Sequence, residues 1–257
     1  MFATSVRPPS VTPQLRRLAK RAQLRRLLEL SGDHVRFCLD YFTVPRYQPL
    51  PWRRPDATSA RRAEGVLSRW TEIHRLVDEL QPRTALDVGC NVGWFALNLA
   101  ELGISTVGVE SLGPYYRTAT YGAKRRRADN VAVSAMAINS RTVQLLPTVD
   151  CTLMLAVWHH FVQEFGFETA TELLGQIWER TNRVLFFETG EEEMDASFGL
   201  PPMEPDARTW LTSYLVETCP NAKVVHLGLH HGGGRGPDVA WRNLFAVVRE
   251  DDRLLES

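Results

Sequence analysis

The chain has 257 residues, 44% hydrophobic and 23% charged, enough for one sizeable core with an appendage and too apolar for a disordered polymer. Thirty Lys and Arg balance thirty Asp and Glu, so no overall field draws nucleic acid or an anionic membrane to the protein. No run reaches the ~18 apolar residues of a membrane span, and the first thirty residues lack the apolar centre of a secretory signal. Cys38, Cys90, Cys151 and Cys219 are scattered and form no C-x-x-C pair. A reduced, cytoplasmic protein without a membrane partner is the expectation.

Residues 12–44 read as helix in two pieces, with Ser31-Gly32-Asp33 as the break. Arg7, Arg16, Arg17, Lys20, Arg21, Arg25 and Arg26 all precede the first acid, Glu29. Such a start has the composition of a transit peptide or of a helix that meets an anionic partner. A solvated helical cap is preferred, because Leu15, Leu18, Ala22, Leu24 and Leu28 offer an apolar side. Four prolines between Pro45 and Pro55 mark a linker or strap, and Ser59–Leu80 carries Val66, Trp70, Ile73, Leu76 and Val77 at helical spacing. Residues 1–80 are therefore read as a helical extension and linker, and 81–257 as the main domain.

From Thr84 the pattern changes to short β-branched runs separated by helical lengths. Strands are predicted at Thr84–Val88, Ser105–Val109, Val131–Ala135, Cys151–Ala156 and Arg183–Glu188. The intervals between them suit crossover helices, so the fold class is α/β with a doubly wound, mostly parallel sheet. Lys223–Leu229 and Trp241–Val248, joined by a glycine-rich connection, read as a hairpin. Phe198–Pro205, with three prolines and Gly199, reads as an ordered loop or lid.

The segment Ala85–Leu97 enters a glycine turn from a strand and leaves it as a helix beginning near Val92. Gly89 allows a sharp turn with close ligand approach, Asn91 tolerates positive φ, and Gly93 relieves crowding between helix and strand. The helix N-terminus then offers free N–H groups. A dinucleotide fingerprint would need glycine where Trp94 stands. Glu110, closing the second strand, is placed to accept both hydroxyls of a ribose.

In these features the sequence resembles the class I S-adenosylmethionine (SAM)-dependent methyltransferases. The first motif of that family matches Asp87-Val88-Gly89-Cys90-Asn91-Val92-Gly93, and its ribose-binding acid matches Glu110. The resemblance spans Thr84 to Arg249 and includes the His159-His160 pair after strand four and the terminal hairpin. It implies a seven-stranded sheet of order 3-2-1-4-5-7-6 and SAM as cofactor. Gly89, Cys90, Asn91 and Gly93 would form the turn beneath the methionine part, with Asp87 orienting it and helping to receive the ammonium. Met136, Ala137 and Asn139 would meet the adenine.

Methyl transfer asks the protein for alignment, water exclusion and, for some acceptors, proton removal. His159 or His160 is the expected base, with His159 preferred and Glu188 as its orienting partner. The alternative is that the pair shapes the pocket. Trp158, Tyr115, Tyr116, Tyr121 and the acidic stretch Glu191–Asp195 are further candidates for the acceptor pocket. Ala156-Val157-Trp158-His159-His160 departs from the Pro-Pro-aromatic signature of family members that methylate exocyclic base amines. A small-molecule acceptor, methylated on oxygen or nitrogen, is the preferred reading. An RNA- or tRNA-modifying methyl- or alkyltransferase is the alternative, motivated by the basic N-terminus and Lys124-Arg125-Arg126-Arg127. An inactive scaffold is a second alternative. His226, His230 and His231 show no metal-ligand spacing, so no metal is expected. The sequence leaves the oligomeric state open.

Overall fold

Alternation along each strand decides which side chains enter which half of the core. In the computed structural model, which describes residues 31–40, 48–52, 60–232 and 240–250, seven strands form one sheet. They are β1 (Thr84–Val88), β2 (Ser105–Glu110), β3 (Val131–Ala135), β4 (Val149–Leu155), β5 (Thr181–Glu188), β6 (Ala222–His231) and β7 (Trp241–Arg249). Their order is β3-β2-β1-β4-β5-β7-β6, as expected. The first five are parallel, and β7 runs antiparallel to both β5 and β6.

The helices are α1 (31–40), α2 (Ala60–Leu80), α3 (Trp94–Glu101), α4 (Gly113–Arg126), α5 (Trp158–Phe165), α6 (Phe167–Glu179) and α7 (Ala207–Thr218). Leu86, Val88, Met154, Leu185 and Phe187 join the core cluster that contains side chains of α5, α6 and α7. Their strand neighbours Ala85, Leu153, Leu155, Val184 and Phe186 join the cluster that contains those of α2 and α3. This period of two over two apolar faces is what a doubly wound sheet requires. Helix α2, placed by sequence on the extension side of residue 80, contributes Val66, Ile73, Leu76, Val77 and Leu80 to the second cluster.

Ser31-Gly32-Asp33, read as a break between two helical pieces, are themselves helical in α1, and the residues before them lie outside the described ones. A single glycine costs a helix only about 1 kcal/mol, and tertiary contacts hold this one. Asp33 meets Lys124 at 2.6 Å, Asp40 meets Arg117 at 2.7 Å, and Phe37 packs on Trp52 and Tyr121. The remainder of the basic N-terminal segment, much of the proline-rich strap and the glycine-rich connection before Trp241 lie outside the described residues.

Among the described residues, no helix is long and apolar enough to cross a membrane. The four cysteines are free thiols, three of them buried. Strand ends β1, β2 and β4 converge on one edge of the sheet, which is where open α/β sheets bind ligands.

Candidate functional site

The turn after β1 places Gly89, Asn91 and Gly93 in left-handed conformation, at φ 65, 53 and 77°. A Cβ on Gly89 would lie 2.6 Å from Val157 Cγ2, so the residue is required both for its φ and for its clearance. At Gly93, the N-cap of α3, a Cβ would meet Ala119 at 3.0 Å. Asp87 is buried, and its Oδ2 accepts the Ala96 N–H at 3.1 Å, tying β1 to the first turn of α3. Burial pushes its carboxyl up to about 7, against the Ala96 bond and with a small push from Glu110. Cys90 is buried, and a Cβ on Gly108 would meet its Sγ at 2.9 Å. Asp87, Cys90 and Gly93 thus brace the turn from behind.

Glu110 closes β2 and clasps the turn from the front. Its Oε2 accepts the Asn91 N–H at 2.9 Å and its Oε1 accepts the Leu112 N–H at 2.8 Å. Burial raises its pKa, and these backbone bonds partly offset that rise. Gly89, Asn91 and Glu110 line a cavity of about 840 Å³, a size typical of small-molecule sites. Met136 and Ala137, after β3, line it too. Asn139 does not: its Oδ1 accepts the Arg141 and Thr142 N–H groups, closing a local turn. Inside the cavity wall, the buried Oδ1 of Asn91 has no hydrogen-bond partner among the described residues.

The cavity extends to the histidine pair that opens α5. The rings of His159 and His160 lie 4.3 Å apart, and Phe198 packs on both at 5.6 and 5.7 Å. Phe198 ends a short 3-10 turn (Ala196–Phe198) within the segment read as a possible lid. His159 Nδ1 accepts the Gly190 N–H at 2.8 Å, with Thr189 Oγ1 at 3.2 Å. A backbone donor on Nδ1 fixes the neutral ring with its proton on Nε2. Burial, then His160 and Arg242, lowers the His159 pKa to about 2. Partial desolvation, then Arg242, lowers that of His160, and a hydrogen bond with Gln163 opposes them.

Glu188 stands elsewhere. Alternation along β5 places it with Val184 and Phe186 on the α2 face, where the Arg69 guanidinium donates to both its carboxylate oxygens at 2.7 and 3.0 Å. It is absent from the cavity lining. Its expected pairing with the histidines is replaced by this buried ion pair, at 2% and 0% side-chain exposure. Trp158 and Tyr121 are likewise packed in the interior, whereas Tyr115 lines the cavity.

In the acidic stretch, Glu191 accepts the Asn243 N–H and side-chain amide, Glu193 pairs with Arg242 at 2.6 Å, and Met194 reaches the cavity. His226, His230 and His231 bond to Asn243, Ser68 and the Gly232 carbonyl. Among the described residues no cluster of three or more His, Cys, Asp or Glu is arranged to hold a metal ion.

The cavity also takes residues that the sequence reading did not assign to it, Gln48, Ala156 and Arg242 among them. Ala156 adopts φ 57°, a conformation that an alanine does not advertise. Arg242 opens an alternating strand, and Gln48 sits among prolines without periodicity.

No protein-family model and no curated protein sequence matches the chain. Solved structures match its fold. A crystal structure of WbdD is 21% identical with a TM-score of 0.63, covering 83% of this chain and 47% of that one. Another, described as the bifunctional kinase-methyltransferase WbdD, is 20% identical at the same TM-score. Magnesium protoporphyrin IX methyltransferase (ChlM) from Synechocystis PCC 6803 with bound SAM is 15% identical, with a TM-score of 0.56 over 77% of this chain and 86% of that one. The chain thus spans about half the length of WbdD. The fold is the class I Rossmann-like fold of SAM-dependent methyltransferases.

Proposed function

We propose that the chain is a SAM-dependent methyltransferase acting on an oxygen or nitrogen of a small-molecule acceptor. The Glu110 clasp carries this reading: a carboxylate at the end of β2 holds the left-handed turn after β1 in the wall of a cavity of small-molecule size. Each of its oxygens keeps a lone pair beyond the backbone bond it accepts, so a ribose diol is a fitting guest. The orphaned Asn91 Oδ1 supports the fit, since a buried acceptor without a donor costs about 1–3 kcal/mol until a ligand N–H or O–H reaches it. Met136 and Ala137 supply an apolar wall for adenine. The two methyltransferases named above have this fold, and the ChlM structure contains SAM.

When bound, SAM supplies a methyl group already activated on a sulfonium centre. The chain's own residues then have three tasks. Gly89, Asn91 and Glu110 fix the cofactor's position; Phe198, Met194 and the histidine rings exclude water from the far end of the cavity. The fixed tautomer of His159 presents Nε2–H as a donor that orients the acceptor, rather than a lone pair. His160, whose pKa is lowered by partial desolvation and by Arg242, is the ring able to take a proton from an acceptor hydroxyl.

The RNA alternative rested partly on Lys124–Arg127. Lys124 is paired with Asp33, and Arg125 donates to the Tyr121 hydroxyl at 3.4 Å, so this patch is partly spent within the chain. The experiment offers methyl-labelled SAM with panels of phenols, hydroxy and carboxylic acids, amines, and bulk RNA. Label should enter a small molecule. Label entering RNA alone, with RNA affinity falling steeply as salt rises, would overturn the proposed acceptor class.

A further inference from the structure

Gln48 lies in the short described piece of the proline-rich strap, far in sequence from the glycine turn. Its side chain nonetheless lines the cavity together with Gly89 and Asn91, and the residue is 7% exposed. Its Oε1 accepts the N–H of Trp94, the first residue of α3, at 3.3 Å. Because a backbone N–H can only be met by an acceptor, this contact fixes the orientation of the amide. The Nε2H₂ end has no acceptor among the described residues. A largely buried residue whose amide donors open on the cavity wall is placed to meet an acceptor on a ligand.

The position says which acceptor. The N-terminus of α3, whose Trp94 and Ala96 N–H groups are already met by Gln48 and Asp87, keeps a partial positive charge that favours an anion nearby. Among the described lining residues the permanent cation is Arg242, which lies at the β7 side and is engaged with Glu193 and Glu188. Among the described residues, no arginine or lysine lines the cavity beside the turn. Among these residues, the donors a carboxylate would meet there are neutral ones, the Gln48 amide foremost.

We propose that Gln48 is a cofactor-binding residue whose amide donates to the carboxylate of the methionine moiety of SAM, so that the described piece of the strap, residues 48–52, borders the cofactor site. The strap is suited to the task, because the same stretch is pinned to the domain by Trp52, whose ring packs edge-on to Tyr121 at 5.2 Å. The inference rests on the SAM reading above and goes beyond it in assigning the carboxylate subsite to a residue outside the sheet domain.

The test compares two ligands that differ in the amino-acid part. S-adenosylhomocysteine carries the carboxylate, and 5′-methylthioadenosine retains the nucleoside and sulfur but lacks it. Calorimetric titrations are run on wild type, Gln48→Leu and Gln48→Glu. The glutamate variant keeps an acceptor for the Trp94 N–H while removing the donor and adding like charge. Hydrogen bonds to charged groups predict that adenosylhomocysteine binds about 10- to 100-fold more weakly to both variants, and more weakly to glutamate than to leucine. Methylthioadenosine affinity should change by less than about twofold. Equal losses for both ligands would show that Gln48 merely holds the turn, and unchanged affinity for both would show no contact; either overturns the inference. A wild-type protein that binds neither ligand refutes the underlying cofactor reading instead.

Discussion

Replacing Arg69 by methionine leaves the Glu188 carboxylate inside the sheet–α2 layer without its guanidinium. Both side chains are buried, at 2% and 0% exposure, and one guanidinium nitrogen donates to both carboxylate oxygens. Arg242 cannot take over, since it lies 3.9 Å away and is directed to Glu193. Stranding one partner of such a pair costs about 3–5 kcal/mol, a large part of the ~5–15 kcal/mol that holds a typical domain together. Arg69→Met should therefore lower unfolding free energy in urea by about that amount, with an unchanged m-value. Arg69→Met combined with Glu188→Gln should recover more than half of the loss, because neither position of the pair is then left with a buried charge. The cycle measures the coupling directly. Adenosylhomocysteine affinity of the double variant should stay within about twofold of wild type, since neither residue lines the cavity. A loss below about 1 kcal/mol in the single variant would refute the buried-pair argument. A stable double variant that no longer binds nucleoside would show that Glu188 belongs to the site after all.

Further outcomes follow from the turn and its titratable neighbours. Gly89→Val combines a left-handed φ with a Cβ 2.6 Å from Val157. Titration should find cofactor binding lost and thermal scans a fall in melting temperature, whereas wild-type behaviour would mean that the turn is misplaced. Asp87 has a folded pKa raised from 3.8 to about 7, so the folded chain binds the proton more tightly than the unfolded one across that window. Its contribution to stability is present in full below pH 4 and is lost as pH rises toward 7. Asp87→Asn keeps an acceptor for Ala96 and should flatten the decline of urea stability between pH 4.5 and 7.5; an unchanged slope would contradict the buried placement. With an acceptor in hand that reacts through a hydroxyl, His160→Gln should lower kcat about 100-fold at unchanged adenosylhomocysteine affinity. Because the pKa of His160 is lowered from 6.5, the acid limb of the wild-type rate should have its midpoint below that value. Wild-type kcat in this variant would remove His160 as the base.

The local signals in the sequence were strongest where chain geometry leaves few options. The runs Thr84–Val88 and Val131–Ala135 form strands at their expected limits, since glycine, proline or asparagine chemistry bounds each. The order of the sheet rested on the resemblance carried by Asp87–Gly93 and Glu110, and the hairpin of β6 and β7 on two adjacent apolar runs with no helix between them. Strand-end positions were harder. Glu188 was read by its closeness to strand four, but its parity with Val184 and Phe186 sends it to the opposite face, toward Arg69. That parity was available in the sequence; the partner, 119 residues earlier, was not. The His159 tautomer depends on the Gly190 N–H, and Asn139 is drawn into its own turn by Thr142. Gln48 could not be found from pattern at all, because only the folded strap brings it to Trp94.

The central claim is that the Glu110 clasp and the turn after β1 hold an adenosine-bearing methyl donor, and calorimetric titration of the full chain with adenosylhomocysteine tests it most directly. The account predicts saturable binding at one site per chain, weakened at least about tenfold by Glu110→Ala, which removes the anchor of both Asn91 and Leu112. No binding heat for either SAM or adenosylhomocysteine at 1 mM, or full affinity in Glu110→Ala, would contradict it.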